Sequence, residues 1–313
     1  MKTIVALSVV PVVFSFLSVI AHAEDDGEKA TDKTIAHELM VNEAIRSFIV
    51  FVPSKIFQQK TPPSLVIALH GGGSNAEGMQ RFCGLDETAL KRGFIVVYPN
   101  GSGRIKKILT WNSGECCGYA KERKIDDVAF IRELIDFMIK QYGVDPARVY
   151  VTGMSNGAMM AYRLAAELSD RIAAIAAVAG TLDIDAAAAK KPVPILHFHG
   201  TEDQYVPYEG GHGSRSLKDN KHTSVKTTIE TWIRANQVEA EPVVEELPDK
   251  INDGTSVVRY TYKTKQDQQR IVLYKIIGGG HTWPGRSRFE RLLGRSTEEI
   301  SANELMWTFF MAH

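Results

Sequence analysis

Short apolar runs, bounded by glycine and proline, alternate along the chain with segments of helical period. Residues 65–69 are wholly apolar and lie between Pro62-Pro63 and Gly71-Gly72-Gly73. That pattern predicts a strand buried on both faces. Residues 94–98 repeat it and end at Pro99-Asn100-Gly101. Residues 47–52, 148–152, 172–178, 193–198, 257–262 and 271–276 read as further strands. Val128, Ile131, Leu134, Ile135 and Met138 recur at helical spacing behind Asp126 and Asp127, whose carboxylates suit the free N–H groups of a helix start. Residues 156–168 and 225–235 read as helices, and Ser301-Ala-Asn-Glu304 is a capping box that opens a last one. Strands alternating with helices predict an α/β fold, a mostly parallel central sheet with helices on both faces. Only about 14 residues lie between Val178 and Val193, which leaves no room there for a sizeable cap domain.

The first 23 residues depart from this alternation. Lys2 precedes an apolar stretch from Ile4 to Ile20, then Ala21-His22-Ala23 and the acidic Glu24-Asp25-Asp26. This predicts a signal peptide cleaved after Ala23 and a secreted or periplasmic product. An uncleaved anchor competes, but the run is short for a span of ~20 residues and contains Pro11. Residues 24–40 are polar and read as a flexible segment, leaving 41–313 as a single catalytic-sized domain with no appended module. Lys plus Arg and Asp plus Glu number 37 each. No net field draws the chain to nucleic acid, and no later segment is apolar enough to span a membrane. An exported chain can hold disulfides. Cys116 and Cys117 are neighbours about 3.8 Å apart at Cα and pair poorly with each other, so one of them is expected to bond Cys83, if either does. Zinc is a weak alternative, since the cysteines lack C-x-x-C spacing.

The chemistry concentrates at three places. Gly153-Met154-Ser155-Asn156-Gly157 is G-x-S-x-G between a predicted strand and a predicted helix. A sharp turn there would lift the Ser155 hydroxyl clear of the sheet, and the helix start would favour an oxyanion. A glycine-bounded helix with an ordinary N-cap serine is the plain alternative. His70-Gly71-Gly72-Gly73 follows the 65–69 strand and lets backbone N–H groups approach a reacting carbonyl. The N–H groups of Gly72 and Asn156 are the candidate oxyanion donors, with Gly73 as the fallback. A serine needs a base, and the order for this fold is Ser, acid, His. Asp203 follows the 193–198 strand and His281 follows the 271–276 strand, both at carboxyl ends where α/β sheets bind ligands. Asp183 is the second candidate acid. His197 and His199 are strand positions and read as packed; His212 and His222 read as solvated. Trp111, Tyr208 and Trp283 sit in loops next to these motifs and are candidate substrate contacts.

These segments resemble the polyhydroxybutyrate depolymerase-like esterases, the branch that includes feruloyl and acetyl-xylan esterases, within the α/β-hydrolase superfamily. The similar stretches are residues 69–75, 97–101, 111–118, 126–130, 148–157, 197–203 and 278–284. The resemblance implies Ser155, Asp203 and His281 as a catalytic triad, with no metal or organic cofactor. It implies a serine esterase acting on hydroxyalkanoate oligomers or on feruloyl or acetyl esters of polysaccharide. A serine peptidase of the same fold and a non-catalytic secreted binding protein are the rival readings. Relatives often carry a cysteine near residues 236–238; this chain has Cys83 instead, which leaves the disulfide pattern open.

Overall fold

The computed structural model describes residues 31–184, 189–216, 220–287 and 290–313; the expected signal peptide, its cleavage site and residues 24–30 lie outside them. The strands are β1 (Lys33–Val41), β2 (Ala44–Val52), β3 (Leu65–Leu69), β4 (Ile95–Pro99), β5 (Ser102–Ile105), β6 (Ile108–Thr110) and β7 (Val149–Met154). They continue as β8 (Ala174–Val178), β9 (Ile195–Gly200), β10 (Gly211–His212), β11 (Lys221–His222), β12 (Val243–Glu246), β13 (Ser256–Lys263) and β14 (Gln269–Ile277). The helices are α1 (Ala76–Cys83), α2 (Leu85–Arg92), α3 (Gly118–Glu122), α4 (Asp127–Tyr142), α5 (Asn156–Glu167), α6 (Val225–Asn236), α7 (Glu290–Leu293) and α8 (Ala302–Phe310).

Ten strands form one sheet in the order β1-β2-β4-β3-β7-β8-β9-β14-β13-β12. The six from β4 to β14 in that order run parallel, and the pairs outside them are antiparallel. Because strand side chains alternate between faces, the all-apolar β3 feeds two cores. Leu65, Ile67 and Leu69 join one with residues of α4, α5 and α6. Val66 and Ala68 join the other with residues of α1, α2 and α8. Helices therefore cover both faces, as expected of an α/β-hydrolase fold. Among the described residues, no helix or strand interrupts the passage from β8 to β9.

Two expectations are corrected here. Residues 33–40 are not a flexible segment: they form most of β1, paired residue by residue with β2. Alternate residues of β1 turn inward, and His37 packs between Phe48, Phe137 and Tyr142. The backbone hydrogen bonds of this hairpin and one half-apolar face hold a segment whose composition reads as polar. The cysteine pairing also differs. Cys116 and Cys117 are joined to each other across a cis peptide bond, and Cys83 is free. Cys83 ends α1 inside the core beneath α8, whereas Cys116 packs with Met159 and Val206 in a separate small cluster.

Asp126 and Asp127 divide the helix-start role. Asp126 is the N-cap of α4, its carboxylate accepting from the Ala129 N–H at 2.9 Å. Asp127 is fully buried and does something else. Its Oδ1 accepts from Arg46 Nη2 at 2.7 Å and its Oδ2 from the Asn112 N–H at 2.8 Å. The Arg46 guanidinium also lies 4.1 Å above the Phe130 ring. This pair joins β2 and α4 to the loop after β6. Burial pushes the Asp127 carboxyl up against the pull of the guanidinium and the Asn112 N–H. Removing one partner of such a pair leaves an uncompensated buried charge. Asp127→Ala is expected to lower unfolding stability by about 3–5 kcal/mol. Urea denaturation measures this, and a loss below about 1 kcal/mol would contradict the role given to the pair.

Candidate active site

The nucleophile candidate stands at the turn from β7 to α5. Ser155 has φ 56° and ψ −122°, a backbone state that non-glycine residues avoid. Such strain persists only where the surroundings enforce it, and it concentrates at functional sites. Here the enforcement is close packing. A Cβ on Gly157 would sit 2.4 Å from the Leu69 carbonyl oxygen and 2.6 Å from that of His70. A Cβ on Gly153 would meet the Gly157 oxygen at 2.4 Å. Both flanking glycines are required because backbone occupies the space a side chain would need. The Ser155 N–H is held by the Val178 carbonyl at 2.9 Å, which ties the turn to β8.

The candidate oxyanion loop, residues 70–73, lies against this turn. A Cβ on Gly72 would be 3.6 Å from Asn156 Cβ, so the two candidate donor residues are in contact. The Gly73 N–H donates to the Leu109 carbonyl at 2.8 Å and is thereby committed elsewhere. Asn156 is the first residue of α5, where the helix itself supplies no acceptor for its N–H. Its side chain grips the loop: Nδ2 donates to the Trp111 carbonyl at 3.0 Å, and Oδ1 accepts the Trp111 N–H at 2.7 Å.

His70 pins the other side of the oxyanion loop. Its Nε2 accepts the Gly101 N–H at 3.0 Å, so Nδ1 carries the hydrogen and donates to the Gly71 carbonyl at 2.8 Å. Burial, which outweighs the Gly71 bond, lowers its pKa to about 4, and Arg46 adds to the lowering.

Asp203 and His281 come together although 78 positions separate them. His281 Nδ1 lies 2.7 Å from Asp203 Oδ2. A carboxylate only accepts, so Nδ1 carries the hydrogen, and in the neutral imidazole this leaves the lone pair on Nε2, the tautomer a base needs. Asp203 Oδ1 accepts the N–H groups of Tyr205 at 2.8 Å and Val206 at 2.9 Å. Burial pushes the Asp203 carboxyl up, but His281, His199 and the Val206 N–H outweigh it and hold the group below its ordinary value. Ser155, Asp203 and His281 follow β7, β9 and β14, which with β8 are consecutive in the sheet. The acid–base contact is formed; the structure records no hydrogen bond from Ser155 Oγ to the imidazole. Such bonds commonly tighten only when substrate binds. The recorded side-chain partner of Asp183 is Ser113 Oγ at 3.5 Å, and burial raises its pKa to about 7.

The aromatic candidates fare differently. Trp111 and Trp283 are fully buried and are not surfaces a substrate can reach. Trp111 donates from Nε1 to the His70 carbonyl at 3.0 Å and rests its ring on the His70 imidazole. It supports the oxyanion loop from behind. Trp283 donates to Asn303 Oδ1 at 2.8 Å, and Asn303 donates to the Cys83 carbonyl, which couples the histidine loop to α8 and α1. Tyr208 is half-buried, its ring facing His199 and Lys275. His222 is not solvated as expected; it is buried on β11. Burial lowers its pKa, with Asp203, His281 and His199 all within electrostatic reach. Tyr205 was not singled out from the sequence, yet its ring centroid lies 4.9 Å from that of His281. Its one signal was its place two residues after the acid.

Residues 54–231 match the phospholipase/carboxylesterase family model, more than half of the chain. The chain belongs to that family. Within its wider kinship, a feruloyl esterase B of Piromyces equi is 31% identical over 75% of this chain and 42% of its own length. A bifunctional acetylxylan esterase/xylanase of Neocallimastix patriciarum is 30% identical over 64% of this chain and 28% of its own length. The chain thus spans less than half of either curated relative. Among solved structures, an acetyl xylan esterase from Aspergillus awamori superposes with a TM-score of 0.59 at 17% identity, over 89% of this chain and all of that one. At that identity the likeness speaks for the fold.

His70 gives this family member a testable pH response. Its folded pKa is lowered, so the unfolded chain binds the proton first. The His70 contribution to stability is complete above the ordinary histidine value of about 6.5, and it falls as pH drops toward about 4. His197, His199 and His222, whose pKa values burial also lowers, slope the same way. His70→Asn keeps a donor for Gly71 but cannot titrate, and it is expected to lose less stability than the parent between those two pH values. Urea midpoints at both ends measure this; parallel losses in the two proteins would refute it.

Proposed function

We propose that the protein is a secreted serine esterase working through an acyl-enzyme. The observation that carries the reading is the buried Asp203–His281 pair at 2.7 Å, set at the same edge of the sheet as a serine in a strained turn. His281 Nε2 takes the Ser155 proton as Oγ attacks the ester carbonyl. The Asp203 carboxylate stabilises the resulting imidazolium. The N–H groups of Gly72 and Asn156 hold the oxyanion. The alcohol leaves with the proton from His281, and water, deprotonated by the same imidazole, releases the acid.

The relatives' names favour acetyl and feruloyl esters of polysaccharide as substrates, with hydroxyalkanoate oligomers the second class to try. With no helix or strand between β8 and β9 among the described residues, the site suits bulky esters. Secretion rests on the pattern of residues 1–23; no described helix is long and apolar enough to cross a membrane. Ser155→Ala is expected to stay folded and to lose about a thousandfold or more in kcat/KM on a short p-nitrophenyl ester. A fluorophosphonate should label the parent stoichiometrically and spare the variant. Undiminished hydrolysis by Ser155→Ala would remove the serine from the mechanism, and faster cleavage of matched amides than esters would turn the reading toward a peptidase.

A further inference from the structure

Behind the catalytic acid lies a row of buried polar groups that the reaction does not use. His197 and His199 are two apart on β9 and so share a face, the one covered by α5 and α6. Both are buried to 1% exposure or less. Tyr162 OH lies 2.6 Å from His197 Nδ1, His197 Nε2 lies 3.1 Å from His199 Nδ1, and His199 Nε2 lies 2.8 Å from the Val206 carbonyl. Trp232 stacks on Tyr162 and Tyr208 meets His199 edge-on, closing the row from the sides.

The direction of this row follows from its ends. A carbonyl only accepts, so His199 Nε2 carries a hydrogen. Burial lowers the pKa of both histidines, so each imidazole is neutral and has one N–H. His199 Nδ1 is therefore a bare acceptor, which requires the hydrogen on His197 Nε2. His197 Nδ1 is bare in turn and takes the Tyr162 hydroxyl hydrogen. Every donor points from α5 toward the acid loop. The last N–H also lies 3.4 Å from Asp203 Oδ2, the oxygen that holds His281. The carbonyl it grips belongs to Val206, whose own N–H binds Asp203 Oδ1.

We propose that Tyr162, His197 and His199 form a one-way hydrogen-bond ladder that positions the catalytic acid. His199 is the positioning residue: it clamps the Asp203–Val206 turn and presents an N–H to the carboxylate. The Val206 carbonyl sets the tautomers, and the Tyr162 hydroxyl donates to the bare His197 Nδ1 that they leave. Without that hydroxyl the bare His197 Nδ1 is buried with no donor, which weakens the row against reversal, and a reversed His199 would aim a lone pair at Val206 O and Asp203 Oδ2. This proposal rests on the triad reading above and deepens it.

Nitrogen-15 NMR of histidine-labelled protein tests the ladder without using activity. At neutral pH, both buried imidazoles should carry hydrogen on Nε2 and none on Nδ1. His199→Leu should lower kcat on p-nitrophenyl acetate about tenfold or more, with KM within about twofold of the parent. His199→Gln, whose amide N–H can reach the Val206 carbonyl, should recover most of that loss, which a merely space-filling role would not predict. Tyr162→Phe removes one oxygen; it should shift the His197 Nδ1 resonance and lower kcat several-fold. Hydrogen on His199 Nδ1 in the parent, or unchanged kcat in a folded His199→Leu protein, would overturn the proposal. If that variant does not fold, unchanged resonances and kcat in Tyr162→Phe would do the same. If Ser155→Ala keeps its activity, the triad reading fails, while the tautomers still decide whether the ladder exists.

Discussion

Backbone packed against backbone around Ser155 is the constraint on which the rest of the molecule depends. The end of β3, the turn after β7 and the loop after β8 meet where side chains have no room. A Cβ on Gly180 would sit 2.4 Å from the Ser155 carbonyl oxygen, and one on Gly71 would touch Ser155 Cβ at 3.6 Å. These contacts hold the serine in a backbone state it would not choose alone. They also bring the oxyanion loop against the start of α5, where N–H groups lack helical partners. One packing problem, solved with glycine, thus places the candidate nucleophile and the candidate oxyanion donors together. The parallel sheet supplies the frame, since its strands end side by side and Asp203 and His281 follow two of them.

Electrostatics around this frame follow a simple division. The imidazoles at positions 70, 197, 199 and 222 have lowered pKa values, and burial is the leading cause in each. Those at 70, 197 and 199 serve as directional donors and acceptors rather than as charges. Negative charge is kept at Asp203, where backbone N–H groups and His281 offset the cost of burial. The other fully buried carboxylate, Asp127, has Arg46 against it and acts on the loop that carries Trp111 and Asn112.

Much of this was legible in the sequence because it is local. The run at 65–69, bounded by prolines and glycines, could only be a strand buried on both faces, and it became β3. Gly153, Ser155 and Gly157 carry their turn in their own spacing, since strand, turn and helix are adjacent along the chain. The order of Ser155, Asp203 and His281, each just past an apolar run, follows the strand ends of a parallel sheet. Asp126 as a cap needed no partner beyond its own helix.

What tertiary structure alone decided is where a side chain's neighbours come from distant segments. Trp111 and Trp283 read as loop aromatics, yet His70, Asn156 and Asn303 enclose them, so they brace the site. Residues 33–40 look polar until β2 supplies their hydrogen bonds. His222 looks solvated until the fold buries it within electrostatic reach of Asp203, His281 and His199. The pairing of Cys116 with Cys117 instead of Cys83 depends on which core each one enters. Periodicity and turn chemistry are properties of neighbours in sequence, and the chain carries them openly. Burial, tautomer and charge depend on neighbours in space, and these exist only once the sheet has closed around Ser155.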